Sequence, residues 1–367
     1  ILNMSIKNLR VALVYDWVNT RHGGAEQVLI SLQKLFPDAP LYTSVYDKRQ
    51  ATWADSFEVR PSRLQFFPFS SRFHREYLPL MPWAFSTLNL DEFDIVISVT
   101  SAQAKGITVG PKTLHVCYLL TPTRYLWSHT LEYQKGLLQP LKTVVCSVMR
   151  VWDYWASQKP DIIIPISEVV KKRAEKYYRR KIEPVIYPPF QPFEQMVVNP
   201  KQEGQYFLVV SRLVDYKKIE IAIQACVAQN QALLIVGDGP NKGALQEKSH
   251  LVRFRSGLSS SQLASVYAQA KALLLPAEED FGLVALEAQS FGIPVIVYSR
   301  SGAAEVVIDG ETGIHVSEQT AQAFSQAIGI FSQTEWKKQA IQNHSKQYNA
   351  VSYTHLRAHE TKANLVC

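Results

Sequence analysis

The stretch between residues 272 and 297 constrains this chain more than any other. Its apolar run, residues 272–275, reads as a buried strand. The run ends in an acidic turn, a glycine at position 282 and a helical pattern carrying Leu283, Leu286 and Phe291. Strand, loop and helix start, in that order, aim free backbone N–H groups and the positive end of a helix dipole above a sheet edge. Such a place suits a phosphate. Glu279 and Glu287 flank the helix start. Carboxylates repel an anion but accept well from sugar or ribose hydroxyls. Acidic residues also gather at helix N-termini for dipole reasons alone, so the rest of the chain must decide between the two readings.

The same alternation recurs along the chain. Residues 9–15, 40–45, 93–98, 113–118 and 161–166, then 206–210 and 232–236, read as short apolar strands, and 252–258 as a further strand and loop. Helical patterns such as 24–36, 141–156, 169–178 and 219–228 separate them. Alternation of this kind predicts an α/β chain built on doubly wound parallel sheets. With 367 residues and 47% apolar content the chain can bury two cores. Four prolines between 184 and 192 interrupt the pattern. The expected division is an N-terminal domain over 1–187, a linker over 188–202, a C-terminal domain over 203–348 and a tail over 349–367. The tail has no apolar period, resembles translated adaptor sequence, and is expected to be poorly ordered after Tyr348.

Composition narrows the function classes. No apolar run is long enough to span a bilayer and the start lacks a signal-peptide pattern, so a cytoplasmic location is expected. Four scattered cysteines, without C-x-x-C spacing, indicate neither a zinc site nor disulfides, and three of them lie in apolar surroundings that predict buried free thiols. Residues 1–190 carry 24 Lys and Arg against 16 Asp and Glu, whereas the remainder carries 15 against 16. The excess is diffuse, which disfavours a nucleic-acid binder and leaves room for peripheral contact with an anionic inner membrane. The segment 60–85 interleaves aromatic residues with arginine. Such interleaving marks a membrane-surface or lipid-acceptor region, or else a buried helical pair with a polar edge; the buried pair is the expectation.

Several motifs add to the first. Residues 16–26 read D-W-V-N-T-R-H-G-G-A-E, with Gly23 and Gly24 at a helix start; residues 119–127 read L-L-T-P-T-R-Y-L-W. Arg212 and Lys217 stand five apart on a strand-to-helix loop, where two cations can converge on one diphosphate. Gly237 opens G-D-G-P; position 242 is lysine, so the dinucleotide fingerprint G-x-G-x-x-G fails. Taken with the E-x7-E spacing of Glu279 and Glu287, these motifs resemble retaining glycosyltransferases of family 4 with the GT-B fold. Over residues 9–348 the likeness is strongest to bacterial mannosyltransferases of polysaccharide and O-antigen assembly.

The resemblance implies two Rossmann-like domains facing a cleft, and it implies roles for residues. Arg212 and Lys217 would bind the donor diphosphate and, with Glu279, carry catalysis. Gly23, Gly24, Gly237, Leu258, Phe281, Gly282 and Leu283 would line the donor site, with Glu279 on sugar hydroxyls and Glu287 on the ribose. Asp16 and Arg124 would stand on the acceptor side. Two positions depart from the family pattern: Leu120 replaces a histidine and Ser301 replaces a glycine.

The expected donor is GDP-mannose and the expected acceptor a lipid-linked or polysaccharide glycan. A UDP-sugar enzyme, a nucleotide-sugar epimerase of the same fold and a silent sugar-nucleotide binder are the alternatives. No Asp-x-Asp motif is present, so fixed positive charge would stabilise the leaving diphosphate, and no cofactor or metal is expected. Turnover should survive an excess of chelator unchanged. A collapse on chelation, restored by a divalent cation, would overturn this.

Overall fold

The computed structural model describes residues 9–20, 23–74, 76–128, 130, 139–193, 205–246 and 249–348. The tail over 349–367 and residues 194–202 of the expected linker lie outside them. The chain divides into two compact units between Pro188 and Pro189.

In the first unit β1 (Val11–Tyr15), β2 (Leu41–Thr43), β3 (Val59–Pro61), β4 (Ile95–Thr100), β5 (Leu114–Leu119) and β6 (Ile162–Pro165) form one sheet. Its order is β3-β2-β1-β4-β5-β6, and every pairing is parallel. β1 is buried along its whole length, as a strand covered on both faces must be, which explains its unbroken apolar run. β3 has no counterpart among the expected strands. Three residues ending in a proline carry little periodic signal, and proline is tolerated there because the strand is at the edge.

The second unit repeats the plan with β7 (Tyr206–Val210), β8 (Leu233–Val236), β9 (Val252–Arg255), β10 (Ala270–Leu275), β11 (Val295–Tyr298) and β12 (Gly313–Val316). The order β12-β11-β10-β7-β8-β9, again parallel throughout, is the same topology read from the other end. In each unit the first and fourth strands are neighbours, so successive connections diverge there and leave a crevice at the strands' carboxyl ends. Phe207, Leu274 and Ile296 of this sheet pack against Ile223 and Cys226 of helix Ile219–Ala228 and Phe324 and Ile328 of helix Ala321–Gln333. Burying each such large side chain contributes about 1.5–3 kcal/mol.

One expectation fails in the first unit. Residues 60–85 do not form a buried helical pair. Leu64, Met81 and Phe85 are buried, but Phe66, Phe67, Phe69, Phe73, Leu80 and Trp83 are exposed. Prolines at 61, 68, 79 and 82 break the backbone hydrogen-bond ladder, leaving short 3-10 turns at Arg63–Phe66 and Leu78–Leu80 and a helix of six residues at Met81–Ser86.

Beneath this sheet's loops lies an ion pair that no motif announced. Lys105 Nζ is 2.6 Å from Asp153 Oδ1, and both side chains are fully buried. Thr123 Oγ1 and Trp127 Nε1 also donate to Asp153, at 2.7 and 2.8 Å. Asp153 therefore ties the segment after β4, through Lys105, and the segment after β5, through Thr123 and Trp127, to helix Gln139–Ala156. Leaving one such buried charge without its partner costs about 3–5 kcal/mol.

His115 on β5 is buried with Nε2 2.8 Å from Ser98 Oγ, and burial lowers its pKa from 6.5 to about 4. A base held neutral in the fold takes up a proton more readily when unfolded. Stability is therefore full above the unfolded value and falls as pH drops through the window down to about 4. The loss should reach on the order of 3 kcal/mol. Six of the seven tryptophans lie in the first unit, so fluorescence-detected urea unfolding reports on it. Between pH 6.5 and 4 the His115→Gln variant should lose less stability than the parent. Equal losses would refute the assignment.

Candidate functional site

The crevice of the second unit lies between β7 and β10, which pair directly through Leu208 and Leu273. Because both strands run the same way, the loops that follow them leave the sheet side by side. The loop after β7 carries Arg212 and Lys217; the loop after β10 carries Glu279, Phe281 and Gly282. Lys217 Nζ donates to both carboxylate oxygens of Glu279 at 2.6 Å, with the two side chains 14% and 13% exposed. Two motifs far apart in sequence thus converge on one ion pair. Arg212 is exposed on the same loop as Lys217.

The acidic loop is fixed from below. Glu279 N–H donates to Ser301 Oγ at 2.9 Å, and Glu279 C=O accepts from Gly302 N–H at 2.8 Å. Ser301 is fully buried and also accepts from Ala303 N–H at 3.2 Å. Ser301, standing where the resemblance leads one to expect glycine, is therefore a clamp on the loop bearing Glu279. Phe281 is buried under the same loop. Gly282 has φ +83°, and a Cβ there would lie 2.3 Å from Ala303 Cβ, so only glycine fits. Helix Leu283–Ser290 begins at Gly282 with no side-chain cap, which leaves its first N–H groups for another acceptor.

Glu287 lies on the following turns of that helix, where burial raises its pKa and a hydrogen bond from Tyr267 opposes the rise. Tyr267 Oη–H donates to Glu287 Oε2 at 2.6 Å, and the tyrosine ring stacks on Phe291 at 5.7 Å. Sequence reading missed Tyr267. It lies on helix Ser260–Ala268, 20 residues upstream, and no spacing connects it with Glu287. Gly237 follows β8, and a Cβ on it would meet Ser211 O at 1.8 Å, so the glycine permits the β7 and β8 loops to touch. Leu258, half-buried after β9, precedes Ser259, which caps helix Ser260–Ala268 through a capping box with Gln262. The donor-side residues expected in this unit all fall on or just after the loops of β7 to β10, at one edge of the sheet.

The remaining residues form a separate group in the first unit. Asp16, expected on the acceptor side, is buried. Its carboxylate is 1% exposed and receives Thr100 Oγ1 at 2.8 Å, Ser101 N–H at 2.7 Å and Ala104 N–H at 2.9 Å. Burial raises its pKa while these hydrogen bonds pull it back. It joins the loops after β1 and β4 across the crevice, a positioning task. Gly23 is the N-cap of helix Gly24–Leu35, which has no side-chain cap. Glu26, buried below, accepts from Tyr15 Oη and Thr20 Oγ1 at 3.0 Å each. The Glu of G-G-A-E is thus the support of that glycine loop. Arg124 opens the short helix Arg124–Trp127, and Leu120 donates its N–H to Thr100 O at 2.9 Å. Among the described residues no cluster of three His, Cys, Asp or Glu side chains is placed to hold a metal ion.

Residues 191–348 match the family described as Glycosyl transferases group 1. D-inositol 3-phosphate glycosyltransferase from Streptomyces scabiei is 40% identical over 85 residues, 23% of this chain and 19% of that protein. The GDP-mannose-dependent alpha-(1-6)-phosphatidylinositol monomannoside mannosyltransferase of Mycolicibacterium smegmatis is 32% identical over 140 residues, 33% of this chain and 36% of that protein. These matches span about a fifth to a third of the relatives' length. The crystal structure of Anabaena HepE in complex with UDP and glucose superposes with a TM-score of 0.66 at 19% identity, covering 97% of this chain and 100% of that one. At that identity the likeness shows the fold, two doubly wound sheets as in GT-B glycosyltransferases.

A carboxyl whose pKa is raised on folding holds its proton more tightly in the native state, so its contribution to stability declines as pH rises from 4.5 through the folded value. Glu287→Gln removes that decline and keeps an acceptor for Tyr267. At neutral pH the variant should unfold at a temperature no lower than the parent. A marked loss of thermal stability would show that the charged carboxylate holds the fold together.

Proposed function

We propose, from the group 1 glycosyl transferase domain that residues 191–348 carry, that this chain is a retaining glycosyltransferase. It would move mannose from GDP-mannose to a lipid-linked or polysaccharide glycan, without a metal ion. The observation that carries the reading is the Lys217–Glu279 pair at the crevice of the second unit. Sugar transfer from a nucleotide diphosphate sugar needs positive charge on the departing diphosphate and hydroxyl acceptors on the sugar, side by side. Lys217, the exposed Arg212 and the uncapped helix start at Gly282 supply the first. Preorganised charge of this kind acts where charge develops in the transition state. Glu279 supplies the second.

Before a donor binds, Lys217 and Glu279 neutralise each other. A bound diphosphate takes over part of the lysine's charge and releases lone pairs of Glu279 to the sugar hydroxyls. Glu287, aimed by Tyr267, takes the ribose hydroxyls. Support for mannose comes from the name of the Mycolicibacterium relative and from the motifs of residues 16–26 and 119–127. A UDP-sugar donor is the second reading, favoured by the UDP bound in Anabaena HepE.

Thermal shift with GDP, UDP and ADP, on the parent, Arg212→Ala and Glu287→Ala, separates these outcomes. Saturating nucleotide should stabilise the parent by about 2–4 kcal/mol, and both substitutions should abolish the shift. A shift with UDP alone would keep the enzyme class and reject GDP-mannose. No shift with any nucleotide would reject the donor site.

A further inference from the structure

We propose that the exposed aromatic surface between Phe66 and Trp83 docks the first unit on an anionic lipid bilayer. The inference goes beyond the donor site, and rests on the proposed function only for the use a membrane would have, which is to present a lipid-linked acceptor. Six large apolar side chains, Phe66, Phe67, Phe69, Phe73, Leu80 and Trp83, stand exposed within one short segment, with Phe66 at 89% and Phe69 at 72%. A patch of this kind on a globular domain marks an interaction surface.

The segment holds those rings out by construction. Ser62 Oγ donates to Ser44 O at 2.8 Å, Asn19 Nδ2 to Ser71 O at 2.6 Å and Tyr77 Oη to Pro68 O at 3.0 Å, while Leu64, Met81 and Phe85 are fully buried beneath. Phe69 has φ +51°, a left-handed conformation that costs a bulky residue of order 1–3 kcal/mol and persists only where its surroundings enforce it. Its C=O accepts from the N–H groups of Arg72 and Phe73 at 3.0 and 2.9 Å. The rings also associate laterally, with Phe67 5.9 Å from Tyr77 and 6.0 Å from Trp83.

Charge selects the occupant. Between residues 62 and 86 the sequence has Arg63, Arg72 and Arg75 against a single acid, Glu76. Arg63 and Arg72 are exposed, and the Arg72 guanidinium sits 5.4 Å from the centre of the Phe73 ring. Phenylalanine and tryptophan interleaved with arginine suit the boundary between headgroups and acyl chains, where the rings enter and the cations meet lipid phosphate. The turns broken by proline offer neither a straight groove for a helix nor a free strand edge for a peptide. By contrast, the exposed Val144, Val148, Val151 and Trp155 on helix Gln139–Ala156 have the spacing of a helix seam, and that stripe carries no argument for lipid.

Flotation of the full chain with phosphatidylcholine vesicles, with and without phosphatidylglycerol, tests the proposal. The parent should float with the anionic vesicles and should be released by salt. Phe66→Ser/Phe69→Ser and Arg63→Gln/Arg72→Gln should each weaken binding about tenfold or more, with thermal midpoints unchanged. Where the aromatic pair lowers the midpoint, Phe66→Ser alone serves, because that ring makes little contact with the fold. The proposal is overturned if the parent ignores anionic vesicles, if the aromatic variants bind as well as the parent, or if light scattering shows the patch pairing two copies of the chain instead. Nucleotide thermal shifts on the same samples report the donor reading separately: vesicle binding without a nucleotide shift would sink the donor site alone, and the reverse would sink the docking surface alone.

Discussion

In a sheet whose strands all run the same way, every loop that follows a strand emerges at one edge. The rest of this structure depends on that constraint. It gathers Arg212, Lys217, Gly237, Leu258 and Glu279 on neighbouring loops although up to 67 positions separate them in the chain. It also explains why β1, β8 and β11 carry no polar alternation: covered on both faces, they are buried along their whole lengths, whereas the edge strand β9 alternates Val252, Arg253, Phe254 and Arg255. The loops, by contrast, are where polar residues can stand without being desolvated.

Within that frame the two units use buried carboxylates differently. In the first, Asp16 and Glu26 are consumed by the fold: one joins two loops at the sheet's crevice and the other supports a glycine turn. In the second, Glu279 and Glu287 are each held, among the described residues, by one side chain, Lys217 and Tyr267. Carboxylates with lone pairs to spare can still accept from a ligand. This difference, rather than the acidic residue itself, separates a positioning group from a candidate binding group.

Much of this was legible in the sequence. Unbroken apolar runs marked most of the strands, and the spacing of Glu279 from Glu287 and of Arg212 from Lys217 marked the loops that meet. What was not legible has physical reasons. β3 and β12, of three and four residues, lack an unbroken apolar run, whereas β11 is as apolar as β8 and was legible without being read as a strand. Asp16 could not be told from a ligand-facing carboxylate, because its partners Thr100, Ser101 and Ala104 lie more than 80 residues away. Tyr267 and the Lys105–Asp153 pair are likewise tertiary contacts without a local signature. The segment 60–85 misled for a different reason: aromatic content reads as core, but proline interruptions decide whether a helix exists to bury it.

The clamp at Ser301 has a consequence for how a ligand would arrive. A glycine at that position could not accept the Glu279 N–H, which would be left with Ala277 O at 3.1 Å while Glu279 C=O kept Gly302 N–H, so the acidic loop would sample more conformations, one of which must be selected at each encounter. With the serine the selection is made once, during folding, and the ordering entropy is no longer charged against association. A loop arranged in this way favours association limited by diffusion and orientation rather than by rearrangement. A single hydroxyl beneath the loop would thus set the tempo of capture without touching what is captured.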